Sequence, residues 1–455
     1  MSNKMKLTFW GGTGEVTGAN FLLEGYGLKI LVDCGLIQGG QFADENNRKP
    51  FAYNPSEIDI LIITHSHIDH IGRVPKLVKD GFKGRIISSP ATKELAEVML
   101  EDAAIVLAYE AKNRGLEPLY VQDDVNQAMR RWESLDYHNK MSLSDSLDLE
   151  FYDSGHILGS VMATFSSGGK KIVFTGDLGN SPSLILRDTE RLPDPKYLIM
   201  ESVYGDRNHE SKEERREKLF DILSKSIKAG KTILIPAFSL ERTQAILYEL
   251  NNFIEGGKLP SVPVFLDSPL GAKVTAIYKR FVKDMNENIK KQIFGGDDVF
   301  NFKGLKFTVH QEESQKIEST PGAKIILAGS GMSNGGRILK HEKHYLSSTN
   351  TVMVLVGYQS IGTVGRHLED GNKTINIYHE DIPVRAEIVK INGYSSHKDS
   401  DHLFEFVEGG MKNLKKTFVV MGEPKSSMFL VQRLRENLDV DAINPQLGNS
   451  FDLEF

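Results

Sequence analysis

The stretch Thr64-His65-Ser66-His67-Ile68-Asp69-His70-Ile71-Gly72 places three histidines and a carboxylate within six residues. It follows a mostly apolar run that predicts a buried strand, so the cluster falls at the strand's carboxyl end. Side chains two apart in extended chain share a face, so His65 and His67 can hold one cation. Asp69 and His70, beyond a turn, can face a second. These donors suit zinc, although other divalent metals fit; a polar loop of surface histidines is the alternative.

The composition predicts a soluble globular protein. The chain has 455 residues, 40% apolar and 25% charged, with a net charge of −6, and this length predicts more than one domain. We expect neither a signal peptide nor a membrane span, which needs about 20 apolar residues in a row. The single cysteine, Cys34, excludes an internal disulfide and favours a reducing compartment, so we predict a cytoplasmic location. The net charge neither indicates nor excludes a nucleic-acid partner.

Three more candidate residues follow predicted strands. Asp33 ends the strand before the cluster, His156 lies in Ser154-Gly155-His156, and Asp177 follows a strand in Gly176-Asp177. A histidine between glycines is poorly placed to pack in a core and well placed to reach a metal. A carboxylate at a strand end can bridge two cations.

The pattern H-x-H-x-D-H at 65–70, with these three residues in this order, resembles the signature of the metallo-β-lactamase superfamily. The resemblance implies an α/β fold, an αββα sandwich with two zinc ions at its edge. It implies that one zinc is held by His65, His67 and His156. It also implies that Asp177 bridges the two ions and that Asp33 supports the site from behind.

Residues 207–370 repeat one plan: an apolar strand, a loop rich in glycine and serine, then a helix. Such units predict a parallel sheet whose loops meet at one edge. Serine, arginine and the amides at helix N-termini bind phosphate. The candidate phosphate contacts are Ser239, Arg242, Ser330, Gly331, Met332, Ser333 and Arg337. The alternative is that the glycines at 329–336 only make tight turns.

Three further segments resemble motifs of the β-CASP family, the branch of the superfamily that cuts nucleic acids. They are Glu201 with Tyr204-Gly205-Asp206, His367 after Gly357-Tyr358, and His397 in Gly393-Tyr394-Ser395-Ser396-His397. With the metal motifs, the resemblance covers nearly the whole chain. It implies a first part of the metallo-β-lactamase domain at 1–206, an inserted β-CASP domain at 207–370, and a C-terminal part of the first domain at 371–455.

The same resemblance implies roles for these residues. His397 would join Asp69 and His70 on the second zinc. His367 would be a general acid oriented by Glu201, and the ligands Asp69 and Asp177 would be catalytic through the metals. The chain departs from the family pattern at Val203, Glu241 and Met421, and none of these positions is an expected metal ligand.

We therefore expect a zinc-dependent ribonuclease that hydrolyses single-stranded RNA in a cleft between the two domains, in RNA processing or decay. RNA rather than DNA follows from the resemblance alone, through the histidine of the last motif. A DNA nuclease, a small-molecule metallo-hydrolase and a non-catalytic RNA-binding subunit stay as alternatives. The sequence leaves open internal or 5′-end cutting and whether a homodimer forms.

Overall fold

A computed structural model describes residues 4–39, 42–360 and 362–455. Ile361, in the glycine-containing segment 357–363, lies outside the described residues. The chain divides into two compact units. Unit 1 comprises the described residues up to Asn208 together with His397–Phe455, and unit 2 is His209–Ser396. The second division falls later than residue 370 because the chain adds another strand to the sheet of unit 2 before it returns to unit 1.

The strands are β1 (Lys4–Phe9), β2 (Phe21–Gly25), β3 (Leu28–Val32), β4 (Ile60–Ile62), β5 (Arg85–Ser88), β6 (Trp132–Ser134), β7 (Lys140–Ser144), β8 (Leu147–Asp153), β9 (Val161–Ser167), β10 (Lys170–Phe174), β11 (Tyr197–Met200), β12 (Thr232–Pro236), β13 (Val264–Asp267), β14 (Leu305–Phe307), β15 (Lys324–Ala328), β16 (Thr351–Leu355), β17 (Thr374–Ile377), β18 (Glu380–Pro383), β19 (Glu387–Lys390), β20 (Lys416–Val419), β21 (Ala442–Ile443) and β22 (Ser450–Glu454).

The α-helices are α1 (Ala43–Arg48), α2 (Ile68–Ile71), α3 (Val74–Lys79), α4 (Pro90–Arg114), α5 (Gln122–Arg130), α6 (Lys212–Lys228), α7 (Arg242–Glu255), α8 (Pro269–Arg280), α9 (Glu287–Phe294), α10 (Gln311–Lys316), α11 (Ile338–Tyr345), α12 (Val364–Glu369), α13 (Ser400–Glu408) and α14 (Pro424–Leu438). None of those in the described ranges is long and apolar enough to cross a membrane.

Unit 1 is built on two seven-stranded sheets, in the orders β22-β1-β2-β3-β4-β5-β6 and β21-β20-β11-β10-β9-β8-β7. One buried cluster contains side chains from both sheets, with Phe9 of the first lying 5.3 Å from Phe418 of the second between ring centroids. The sheets therefore pack face to face, as apolar sheet faces do.

Helices cover the outer faces of both sheets. A second cluster joins the first sheet to α3, α4 and α5, and a third joins the second sheet to α13 and α14. Helix α4 begins at a cap in which Ser89 Oγ accepts from the Thr92 amide at 3.2 Å, with Pro90 in the first turn, both common start signals. The αββα sandwich expected from the sequence is confirmed.

Unit 2 contains a six-stranded sheet in the order β14-β13-β15-β12-β16-β19, and every pairing in it is parallel. Its first helix, α6, begins at a capping box between Ser211 and Glu214, a common start signal. The inserted parallel α/β domain is thus confirmed. Because the strands are parallel, the loops after β12, β15 and β16 lie at one edge of the sheet.

Candidate metal centre

The candidate ligands of unit 1 follow the ends of strands in both sheets. The cluster at 65–70 follows β4, with His67 as the residue before the short helix α2, so Asp69 and His70 lie in its single turn. His156 follows β8, and Asp177 follows β10. The strand ends bring side chains more than a hundred positions apart into one site.

Three histidines surround one carboxylate oxygen. His65 Nε2 lies 3.1 Å from His67 Nδ1, and His156 Nε2 lies 3.2 Å from the same atom. Asp177 Oδ2 lies 3.3 Å from His65 Nε2 and 3.5 Å from His156 Nε2. One nitrogen or oxygen of each of these four residues lies within 4.8 Å of the others, a spacing that could hold a metal ion.

The other oxygen of Asp177 faces a second set of donors. Its Oδ1 lies 3.4 Å from His70 Nε2, which lies 3.8 Å from Asp69 Oδ2. His397 also faces Asp177, with its Nδ1 3.9 Å from Oδ2, and its ring lies 4.5 Å from that of His156 between centroids. Asp177 thus lies between the two groups of side chains.

Asp33 lies behind His70. Its Oδ2 is 2.7 Å from His70 Nδ1 and accepts a 2.8 Å hydrogen bond from Thr64 Oγ1. Its Oδ1 accepts from the Thr64 amide at 2.8 Å. With Nδ1 engaged, Nε2 of His70 is the nitrogen left to face a cation, an arrangement typical of metal-bound histidine. Thr64 is not among the site residues predicted from the sequence, because its only local signal is its place just after β4.

Two glycines allow the chain segments of the site to approach each other. A Cβ on Gly35 would lie 1.5 Å from the Asp69 carbonyl oxygen, and a Cβ on Gly179 would lie 1.9 Å from that of Gly155. Any side chain at these positions would displace the loops that carry Asp69 and His156.

The site favours neutral imidazole at two histidines. Burial lowers the pKa of His67 well below its ordinary value, with a further contribution from His65. Burial also lowers the pKa of His156, to which His397 adds. Burial opposes charge on Asp177 as well, but His70 and His65 hold the pKa of that carboxyl well below its usual range. Neutral imidazole and ionised carboxylate are the forms that bind metal.

The donor set fits metal ions. His70 Nε2 and Asp177 Oδ1 are buried and have no hydrogen-bond partner among the described residues, which is unfavourable for polar atoms unless something else satisfies them. These two atoms lie 3.4 Å apart, so one bound cation could satisfy both. The chain therefore carries a histidine and aspartate cluster suited to metal ions.

Glu201, which the sequence predicts to orient His367, contacts His397 within unit 1. Both oxygens of its carboxylate lie 3.2 Å from His397 Nδ1, and Oε1 also accepts from the Leu178 amide at 2.6 Å. Burial lowers the pKa of His397, but Glu201 and then Asp177 raise it, to about 9. His367 lies in unit 2 as an exposed residue of α12, with its Nδ1 3.3 Å from Asn372 Nδ2. Spacing could not pair Glu201 with His397 because they are 196 positions apart.

Several predicted phosphate contacts of unit 2 are engaged within the protein. Arg337 donates from Nη1 to Asp267 Oδ1 at 2.6 Å and to the Thr308 carbonyl at 2.9 Å, and from Nη2 to the Val309 carbonyl at 2.7 Å. Ser333 is fully buried and donates to Glu342. The prediction that these two side chains hold phosphate therefore needs correction, because each already donates a hydrogen bond to a buried carboxyl group of the protein.

The other predicted contacts lie at the carboxyl edge of the same sheet, in loops or, for Arg242, at the start of α7. Ser239 Oγ is 3.2 Å from Ser268 Oγ, and Ser330 Oγ accepts from the Asn334 amide at 3.1 Å. Arg242 donates to the Val356 carbonyl. Gly331 and Met332 belong to the same glycine-rich loop, where backbone amides rather than side chains are the candidate groups for phosphate.

Three sequence families match the chain. Residues 22–196 match the metallo-beta-lactamase superfamily domain, residues 243–368 match the Beta-Casp domain, and residues 381–445 match the Zn-dependent metallo-hydrolase RNA specificity domain. A ribonuclease, TTHA0252 of Thermus thermophilus, is 36% identical over 405 residues, which is 89% of this chain and 91% of that protein. The chain belongs to the β-CASP family of the metallo-β-lactamase superfamily.

Other β-CASP relatives carry different names. An RNase J-like protein of Methanocaldococcus jannaschii is 30% identical over 97% of this chain and 98% of its own length. The transcription termination factor FttA of Methanosarcina mazei is 30% identical over 96% of this chain and 70% of its own length. A crystal structure of a protein of unknown function from Enterococcus faecalis covers 99% of this chain with a TM-score of 0.54 and 11% identity, a likeness of fold alone.

Two departures from the β-CASP pattern have structural explanations. Met421 is 2% exposed and lines a cavity of about 10 Å³ with Asp33, His70 and Glu201, among others, so it packs directly behind the site. Glu241 accepts a hydrogen bond from the Tyr278 hydroxyl, and burial raises its pKa to about 7. Its carboxyl group is therefore directed into unit 2.

Proposed function

We propose that this chain is a zinc-dependent ribonuclease that hydrolyses phosphodiester bonds of single-stranded RNA. One observation carries the proposal: six other side chains of the types that bind zinc are grouped with Asp177 in a β-CASP protein. A relative that shares 36% identity over most of both chains is named a ribonuclease, and one matching domain is described as an RNA specificity domain.

The proposed ligand sets follow the two sides of Asp177. His65, His67 and His156 hold one zinc, Asp69, His70 and His397 hold the other, and Asp177 joins both. Nitrogen and carboxylate donors with no thiolate suit zinc in hydrolytic sites. Bound zinc supplies Lewis acidity for hydrolysis and neutralises charge on the phosphate oxygens.

Protein groups then position the ligands and move a proton. Asp33 and Glu201 engage Nδ1 of His70 and of His397 respectively, so each fixes which ring nitrogen faces the cation. We assign Glu201 this positioning role in place of orienting His367. His367 remains the proposed general acid for the leaving oxygen, a role that contributes about 10²- to 10⁴-fold to rate.

The RNA contacts belong to unit 2 in this proposal. The loop at 329–336 offers backbone amides, and Arg242 lies at the N-terminus of the 14-residue helix α7, where the helix dipole favours anions. The cleft between domains, a cytoplasmic location and a homodimer stay predictions from the sequence. RNA rather than DNA follows from the family, since phosphate contacts do not distinguish the sugars.

The decisive experiment uses single-stranded RNA labelled at the 5′ or the 3′ end, incubated with the protein with and without a chelator. We expect cleavage that stops with chelator and returns with added zinc, together with about two zinc per chain by elemental analysis. The two labels separate internal from 5′-end cutting, and matched DNA and duplex RNA serve as controls. Zinc binding with no cleavage of any RNA would instead favour a non-catalytic subunit, and preferred cleavage of DNA would overturn the substrate.

A further inference from the structure

Three exposed large hydrophobic side chains of unit 2 lie at the carboxyl edge of its sheet. Phe238 follows β12, Val309 follows β14 and Tyr358 follows β16, with exposed fractions of 38%, 41% and 38%. Single exposed hydrophobic residues are ordinary. Their concentration at the edge that carries the glycine-rich loop is the observation from which the inference starts.

Phe238 is held by the loop that contains Gly331. A Cβ on Gly331 would lie 2.6 Å from Phe238 Cδ2 and 2.8 Å from Cε2, so the ring rests against the glycine backbone. The ring covers Gly331, which is buried, while more than a third of Phe238 faces solvent. A glycine at 331 is therefore needed for the ring to take this position.

The backbone of Phe238 is fixed as well. Its carbonyl accepts from Thr243 Oγ1 at 2.7 Å and from the Thr243 amide at 3.2 Å, and the preceding amide, of Ala237, donates to Ala328 at 3.0 Å. The aromatic ring is thus presented on a defined backbone, and ordering it on binding loses little conformational entropy.

Tyr358 lies on a loop that is hydrogen-bonded to the Gly331 loop. Gln359 donates from Nε2 to the Gly331 carbonyl at 3.1 Å and to the Gly357 carbonyl at 3.2 Å. A Cβ on Gly357 would lie 2.8 Å from Arg242 Nη1. One glutamine side chain therefore links the loop of Tyr358 to the Gly331 loop on which the Phe238 ring rests, with the Arg242 guanidinium beside Gly357.

We propose that Phe238 is a stacking platform for a base of the bound single strand, with Tyr358 as a second aromatic contact on the adjoining loop. The inference rests on the proposed function and adds a contact to base faces, which the predicted phosphate contacts do not supply. An aromatic ring stacks on any base because each has a π-face, so this contact favours single strands without selecting a sequence. A base paired and stacked within a duplex is not available to it.

The test measures RNA affinity of the full chain by fluorescence anisotropy with chelator present, and kcat/KM with zinc-loaded protein. Phe238→Leu keeps an apolar side chain against Gly331 and removes the π-face. We expect it to weaken binding by about 5- to 100-fold, while Phe238→Trp keeps or improves affinity. The slope of log affinity against log salt should not change, because no phosphate contact is lost.

A matched control is Phe294→Leu. Phe294 ends α9 and is 80% exposed. Its neighbours Gln292 and Asp297 contact Asn252 and Asn251 near the C-terminal end of α7, whereas Phe238 precedes the N-terminus of that helix. Phe294→Leu should leave RNA affinity within about twofold, and both leucine variants should unfold at temperatures close to that of the wild type.

Abasic RNA identifies the interaction itself. Oligonucleotides that lack one base at a time should include a position whose loss weakens wild-type binding and adds little to the Phe238→Leu defect. Gly331→Ala, which displaces the ring, should likewise be non-additive with Phe238→Leu. If the wild type binds RNA but Phe238→Leu matches Phe294→Leu, the platform is wrong and the ribonuclease proposal stands. If the wild type neither binds nor cuts RNA, the proposed function fails first.

Discussion

The metal centre of unit 1 and the loop edge of unit 2 were both inferred from residues that follow strands, yet the two regions differ in how their side chains are used. In the metal centre, His65, His67 and Asp177 converge on one point. At the loop edge, Arg337 and Ser333 are bonded to buried carboxylates of the protein.

The difference comes from the length of the side chain and from how far along the chain its partner lies. A histidine or aspartate just beyond a strand has few rotatable bonds, so the backbone nearly fixes its direction. Arg337 reaches Asp267, which lies 70 positions earlier, and local sequence carries no sign of that pairing. Short polar side chains at strand ends are therefore better evidence of a site than an arginine in a loop.

The largest expected effect is that of Asp177→Ala. Because one oxygen faces each group of donors, its removal should lower zinc content and abolish RNA cleavage together. Elemental analysis and single-turnover cleavage measure the two, with thermal unfolding to establish that unit 1 still folds. Full activity in this variant would exclude a bridging role for Asp177. The metal centre would then not differ from the loop edge in how its predicted side chains are used.

The next comparison is between alanine variants of one histidine in each unit, His397 of unit 1 and His367 of unit 2. His397→Ala should bind less zinc and cleave poorly, since the side chain lies in the metal centre. His367→Ala should keep its zinc and slow the chemical step by about 10²- to 10⁴-fold.

An activated substrate separates the two roles. On a nitrophenyl phosphodiester, whose leaving group needs no proton, the defect of His367→Ala should shrink, while that of His397→Ala should persist. Loss of zinc from His367→Ala, or equal impairment on the activated ester, would exclude His367 as the acid.

A smaller effect is expected at Asp33, whose carboxylate contacts His70 and Thr64 rather than standing in either group of donors. Asp33 has a φ of 60°, which asparagine tolerates, so Asp33→Asn changes charge with little change of backbone. We expect zinc affinity to fall by about 10- to 100-fold, measured by competition with a chelating dye. Thr64→Ser keeps the hydroxyl and is the matched control; unchanged zinc affinity in Asp33→Asn would make the aspartate purely structural.

Much of the fold could be predicted because its signals are local. The apolar run before Thr64 predicts a buried strand. The repeated plan of strand, loop and helix predicts parallel strands, because a helix connects each strand to the next. Glu201 shows the limit: its place at the end of β11 was clear, but its partner depends on where His397 returns to unit 1. Likewise the division at 396 depends on β19 pairing with β16, and strand pairing at a distance leaves no mark in a single sequence.

The smallest expected effect on RNA binding is that of Arg337→Ala. The guanidinium already bonds to Asp267 and two carbonyls, so we expect RNA affinity to change by less than about twofold and the free energy of unfolding to fall by about 1–3 kcal/mol. Lys343→Ala is the control, because it also removes one positive charge, from the helix α11 that follows Arg337, but breaks an exposed ion pair with Glu380, worth about 0–1 kcal/mol.

The pH dependence gives this prediction a sign. Burial raises the pKa of Asp267, but hydrogen bonds from His341, Ser314, Arg337 and Thr308 lower it to about 2. A lowered pKa in the folded state stabilises the fold above the unfolded value of about 4, and this stability is lost as pH falls towards 2. Removing Arg337 reduces the stability that ionised Asp267 contributes. The difference in unfolding free energy between wild type and Arg337→Ala should therefore be largest near pH 7 and shrink below about pH 4. A uniform loss of RNA affinity with unchanged stability would instead return Arg337 to the phosphate-binding set, and the two regions would then use their predicted side chains in the same way.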